Sequence, residues 1–114
     1  IEKLVADNPD MTAVFVTNYE MTMGAVIGMN ELDLKIPEQL SMIGFDNLQF
    51  ARACNPKLTI VAQPTSGIAG EVAGIMLKRL EEAASEETEP ITEKLGAEII
   101  MGKSVRVLEE KENL

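Results

Sequence analysis

An α/β fold built on a parallel, doubly wound sheet is predicted by three observations. Short β-rich runs alternate with longer runs of helical spacing along the whole chain. The strand-like runs are apolar at consecutive positions, which suits a sheet covered on both faces. The first strand, helix and strand fit within roughly 35 residues, the size of a βαβ unit with a right-handed crossover. At 114 residues the chain is one ordinary domain or a piece of a larger one.

The elements follow in order. Ile1, Leu4 and Val5 have helical spacing, and Asn8-Pro9-Asp10 stops that run. The run begins at Ile1 itself, so a preceding segment is expected. Thr12 to Val16 reads as a buried strand, broken at Thr17 to Glu20. Met21, Ala25, Val26, Met29 and Leu32 place a helix over Met21 to Leu32. Pro37 opens a turn, and Met42 to Phe45 forms a second buried strand ended by Asp46-Asn47. A loop is expected over Leu48 to Lys57, then a third strand over Leu58 to Ala62, closed by Gln63-Pro64. Ser66 to Glu82 is a helix. Gly67, Gly70 and Gly74 each cost about 1 kcal/mol against alanine, so a close neighbour is expected there. Gly70 and Gly74 form GxxxG, which in a soluble helix means close packing. Ala83 to Pro90 reads as a solvated acidic loop. Ala97 to Met101 is a last strand, with Lys103 to Leu108 as its extension and Glu109 to Leu114 as a frayed tail.

Composition narrows the function. A hydrophobic content of 46% excludes a disordered chain. No apolar stretch approaches the roughly 20 residues needed to span a bilayer, so no membrane partner is expected. Glu2, Lys3 and Asp7 interrupt any signal-peptide core. Ten Lys and Arg against nineteen Asp and Glu give a net charge of -9, with the excess concentrated from Glu81 onward. A chain of that sign is a poor partner for a phosphate backbone. Cys54 is the single cysteine, so no intrachain disulfide forms, and the absence of histidine removes the commonest general base and metal ligand. No G-x-S-x-G and no metal-ligand spacing occur, so an enzyme and a metal or other cofactor are not expected. Gly102-Lys103-Ser104 lacks the upstream glycines and following helix of a phosphate loop.

Three strands end on a side chain able to hydrogen-bond a small molecule: Asn18, Asp46 and Gln63. In open α/β sheets ligands bind beyond the carboxyl ends of the strands. A carboxylate accepts two hydroxyl protons, while Asn and Gln each offer a donor and an acceptor, which suits a polyol. Tyr19 and Phe45 adjoin two of the three and can wall a sugar ring. Each polar residue has a plainer alternative. Asn18 can cap the following helix, Asp46 can shape a turn with Asn47, and Gln63 can be an ordinary residue before proline. Phe50 and Cys54 can form an exposed patch or fold into the core. The seven methionines read as core filler.

The segment Ala13-Val14-Phe15-Val16-Thr17-Asn18-Tyr19-Glu20-Met21-Thr22-Met23-Gly24-Ala25 resembles the strand followed by N-D-x-x-A-x-G of the lactose/galactose-repressor (LacI/GalR) transcription factors. Ile36 to Asn47 is similar to that family's V-P-x-D-I-S-V-V-G-F-D-D/N, and Pro56 to Pro64 to its P-x-L-T-T-V-x-Q-P, in the same order and spacing. Tyr19 stands where the family usually has Asp, and Gly102 where its tail usually has Arg. The resemblance implies a type I periplasmic-binding-protein-like effector domain, of which this chain is an incomplete portion. Residues 1–61 would belong to the carboxyl lobe, residues 62–101 would cross to the amino lobe, and residues 102–114 would return. It implies a cytoplasmic regulator that senses a sugar or sugar derivative. Asn18, Asp46 and Gln63 would be effector contacts, and Met23, Phe50 and Cys54 would lie in a homodimer interface. Operator DNA would be bound only through an amino-terminal domain outside this chain. A periplasmic sugar-binding protein of a transport system is the alternative. A chain of this kind is expected to self-associate or to leave apolar faces uncovered.

Overall fold

The computed structural model describes residues 1–82 and 89–110. The part of the expected acidic loop over 83–88 and the tail residues 111–114 lie outside the described residues. The elements are α1 (Glu2–Asp7), β1 (Ala13–Phe15), α2 (Tyr19–Glu31), β2 (Ser41–Phe45), α3 (Leu48–Ala53), β3 (Thr59–Ala62), α4 (Thr65–Glu81) and β4 (Glu98–Ile100). The sheet runs in the order β1-β2-β3-β4. β1 and β2 are parallel, with Val14 opposite Met42, and β2 and β3 are parallel, with Gly44 opposite Ile60. The α/β fold with a parallel sheet is therefore as the sequence predicts.

The chain divides into two compact units, residues 1–62 with 99–114, and residues 63–98. The first carries the core. Met29, Met42 and Ile60 are sealed from solvent together with Leu40, Ala51 and Leu58. Each large apolar side chain so buried contributes about 1.5–3 kcal/mol. β2 buries Ser41, Met42 and Gly44 and half-buries Ile43 and Phe45, with no residue left exposed, as its apolar run requires. β1 departs from that pattern. It is an edge strand, Ala13 is exposed, and Phe15 keeps 54% of its surface in solvent. An open cleft of about 310 Å³ along this edge is lined by Ile1, Leu4, Phe15, Met21 and their neighbours. Uncovered apolar surface is thus a property of the described chain.

The second unit is dominated by α4, which buries none of its side chains within the described structure. Of the glycines expected to pack closely, Gly67 alone has neighbours among the described residues, with Leu95 and Pro64 at 3.7 and 3.8 Å from a methyl placed there. A methyl group at Gly70 or Gly74 would meet nothing within 4 Å.

Two elements correct the sequence reading. The segment expected to be a loop from Leu48 to Lys57 instead forms α3 over its first six residues. Asn47 caps it, and Phe50, Ala51 and Cys54 share one helical face against the core. The alternative left open for Phe50 and Cys54 resolves the same way, because both are half-buried and packed on core residues. The last strand is also shorter than expected, since residues 102–108 do not extend β4. Gly102 is pressed onto the backbone of Lys57 and Leu58, where a Cβ would collide with both carbonyl oxygens. The chain then turns inward, and Ser104 is fully buried. Gly102 N–H bonds Thr59 Oγ1 at 2.9 Å and Lys103 N–H bonds the Lys57 carbonyl at 2.7 Å. The segment after β4 is therefore fastened at the amino end of β3.

Candidate functional site

The candidate site is built where β1 and β2 end. Extended backbone at Asn18 (φ −151°, ψ 166°) leaves β1 and starts α2. Asn18 Oδ1 accepts the Met21 N–H at 2.8 Å, satisfying an orphan donor of the first helical turn. The Asn18 carbonyl accepts the Thr22 hydroxyl at 2.6 Å. The capping alternative for Asn18 is thus realised, and the residue is also exposed.

Thr22 ties this turn to the next strand. It is 1% exposed, and its Oγ1 also accepts the Phe45 N–H at 3.4 Å. The approach is close enough that a Cβ at Gly44 would lie 2.6 Å from Thr22 Cγ2. Glycine is therefore required at 44 for α2 to lie on the end of β2.

Beyond Phe45 the chain takes two consecutive left-handed residues, Asp46 (φ 59°) and Asn47 (φ 51°). Asp and Asn tolerate this region better than other side chains. Asp46 N–H bonds the Val61 carbonyl at 2.9 Å, holding the end of β2 against β3. Asn47 Oδ1 accepts the Phe50 N–H at 2.9 Å and caps α3. The turn left open as the plainer alternative for Asp46 is present, with Asn47 as the cap and Asp46 half-buried beside it. The side chain of Asp46, like that of Gln63, has its own interactions within the chain.

Asn18 and Asp46 therefore stand at the carboxyl ends of adjacent parallel strands in the first unit. Gln63 directly follows β3, is exposed, and opens the second unit. Phe45 is half-buried at the end of β2. Tyr19 is half-buried too, and its ring meets the edge of Phe50 with centroids 5.5 Å apart and planes at 74°. Its hydroxyl lies 3.9 Å from Met23 Sδ. Met23 is 37% exposed. Burial pushes the Cys54 thiol above its ordinary pKa. Sequence reasoning missed Thr22 and the Tyr19–Phe50 pair. The glycine inside β2 was the available sign of a close neighbour.

A cleft of about 520 Å³ lies elsewhere, lined by Asn30, Lys35, Pro37, Glu38, Asn55 and Lys103. These residues lie toward the amino ends of β2 and β3, away from Asn18 and Asp46. Among the described residues no group of three His, Cys, Asp or Glu side chains could hold a metal ion. Among the described residues no helix is long and apolar enough to cross a membrane either.

Residues 1–105 match the periplasmic binding protein-like domain family. The chain is 32% identical over 108 residues to a protein named HTH-type transcriptional repressor PurR from Histophilus somni, covering 95% of this chain and 32% of that protein. It superposes on a transcriptional regulator CelR in complex with cellobiose with a TM-score of 0.78 at 27% identity, over 90% of this chain and 31% of that one. A LacI family transcriptional regulator from Enterococcus faecium with bound ribose gives a TM-score of 0.76 at 30% identity, over 94% of this chain and 40% of that one. The chain thus spans about a third of the length of the curated relatives it matches.

Proposed function

The chain belongs to the periplasmic binding protein-like domain family, and from that premise we propose that it is the effector-sensing portion of a LacI/GalR-type transcriptional regulator. The observation that carries this reading is the pairing of Asn18 and Asp46 at the carboxyl ends of adjacent parallel strands, each held on a capped turn. That is where open α/β sheets receive ligands. The carboxylate accepts hydroxyl protons and the Asn18 amide nitrogen donates, which fits a sugar or sugar derivative. Gln63, directly after the third parallel strand, carries a donor and an acceptor of the same kind. Phe45 supplies apolar surface beside Asp46.

Effector binding here would favour one arrangement of the whole regulator and so alter its hold on operator DNA. DNA contact would come from a separate domain, because a net charge of -9 is the wrong sign for a phosphate backbone. Self-association would use the surface that bears Met23 and the neighbouring exposed Ile27, with half-buried Phe50 and Cys54 behind it. The regulator reading places the protein in the cytoplasm, with no catalytic role for these residues. It is favoured over a periplasmic transport protein because the relatives are named as transcriptional repressors and regulators.

The deciding experiment is Asp46→Ala in the full-length protein, read by the effector dose-response of a reporter and by a thermal-shift screen of sugars and sugar phosphates. The wild type is stabilised by its effector, as any ligand of the folded state requires. The variant should fold but lose both responses. An unchanged dose-response would refute the assignment.

A further inference from the structure

We propose that Tyr19 and Phe50 are positioning residues whose rings clasp the two turns carrying Asn18 and Asp46, setting the separation of those two side chains. The proposal rests on the reading above only for what Asn18 and Asp46 do.

The clasp follows from the connectivity. Tyr19 is the residue after Asn18, at the first position of α2. Phe50 lies in the first turn of α3, and its own N–H is the one that Asn47 caps. Asn47 in turn follows Asp46. The edge-to-face contact, at 5.5 Å and 74°, therefore joins cap to cap across 31 residues of sequence. Both rings are half-buried, so solvent does not compete fully for the contact.

The Tyr19 hydroxyl is directed to Met23 Sδ, one turn further along the same helix.

A further link between the two turns is a long one. Phe45 N–H reaches Thr22 Oγ1 at 3.4 Å, beyond the about 2.7–3.2 Å of a good N–H···O bond. This long bond and the β1–β2 ladder, continued by the Val16 N–H to the Ile43 carbonyl at 2.9 Å, also join the two turns. The ladder is only three residues long. The rings are therefore placed to decide how rigidly Asn18 is held relative to Asp46.

Hydrogen exchange in the full-length protein tests this without a ligand. The Met21 and Phe50 amides report the Asn18 and Asn47 caps. The Met42 and Thr59 amides bond to Ser104 and report the opposite end of the sheet. In Tyr19→Ala the Met21 and Phe50 amides should exchange about tenfold faster, while Met42 and Thr59 stay within about twofold. Tyr19→Phe keeps the ring and should restore wild-type rates. Phe50→Leu removes the partner ring and should repeat the Tyr19→Ala pattern; it serves in its place if that variant does not fold. The proposal is overturned if the two cap amides do not change, if all four amides accelerate together, or if Tyr19→Phe behaves like Tyr19→Ala. Loss of the effector response in Asp46→Ala decides the rim reading separately.

Discussion

At the amino ends of β2 and β3 a distant segment is bolted into place. Ser104 is fully buried, its Oγ accepts the Thr59 N–H at 2.8 Å and donates to the Met42 carbonyl at 2.5 Å, and Met42 N–H returns to the Ser104 carbonyl at 2.9 Å. Arg106 N–H adds a bond to Ser41 Oγ at 3.1 Å. The carboxyl ends are made differently. There the backbone is left-handed at Asp46 and Asn47, the caps are exposed or half-buried, and side chains reach solvent. One end is closed by buried, fully partnered polar groups, and the other keeps polar groups accessible at the cost of local backbone strain. Substitutions at the two ends should therefore separate into those that act on stability and those that act on binding.

The largest expected effect is at Gly102. A methyl there would lie 2.6 Å from the Leu58 carbonyl oxygen, with backbone rather than a flexible side chain as the obstacle. Gly102→Ala should lower stability by about 3 kcal/mol in urea denaturation of the full-length protein. A midpoint within error of wild type would remove the bolt from the comparison.

Next is Ser104→Ala, which leaves the buried Thr59 N–H and the second acceptor site of Met42 unpartnered. A loss of about 2 kcal/mol is expected, with the effector dose-response midpoint unmoved wherever the protein remains folded. A shifted midpoint would mean that the two ends are coupled.

Asn18→Ala reverses the pattern. It removes one cap, costing about 1 kcal/mol, yet should weaken the effector response far more than that stability loss explains. Equal response in wild type and variant would reduce Asn18 to its capping role.

The smallest effect concerns Cys54. Burial raises its thiol pKa, so the folded protein favours the protonated form. The resulting stability is present below the ordinary thiol pKa and fades as pH rises through the raised value. Alkylation by iodoacetamide at pH 8 should be slower than for an unfolded cysteine peptide, and unfolding should remove the difference. Equal rates would place Cys54 on the open surface.

β2 and β3 were legible because continuous apolar runs bounded by Pro, Asp and Gln admit few other readings. Asn18 and Asp46 were legible as strand-end polar groups for the same reason. α3 was not, because six residues make fewer than two turns, too short for a period to show, and its cap at Asn47 reads equally well as a turn. The uncovered face of β1 was missed because an apolar run says that a strand prefers burial, not that anything covers it.

By itself the sequence determined the alternation of strands and helices, the acidic surface charge and the polar residue closing each parallel strand. Those properties are local, fixed by residue type and by spacing along the chain. Tertiary structure alone decided that Ser104 seals the amino ends, that Tyr19 rests on Phe50 and that Thr22 requires Gly44. These contacts join residues tens of positions apart, and no local preference specifies a contact that exists only after the chain has folded back on itself.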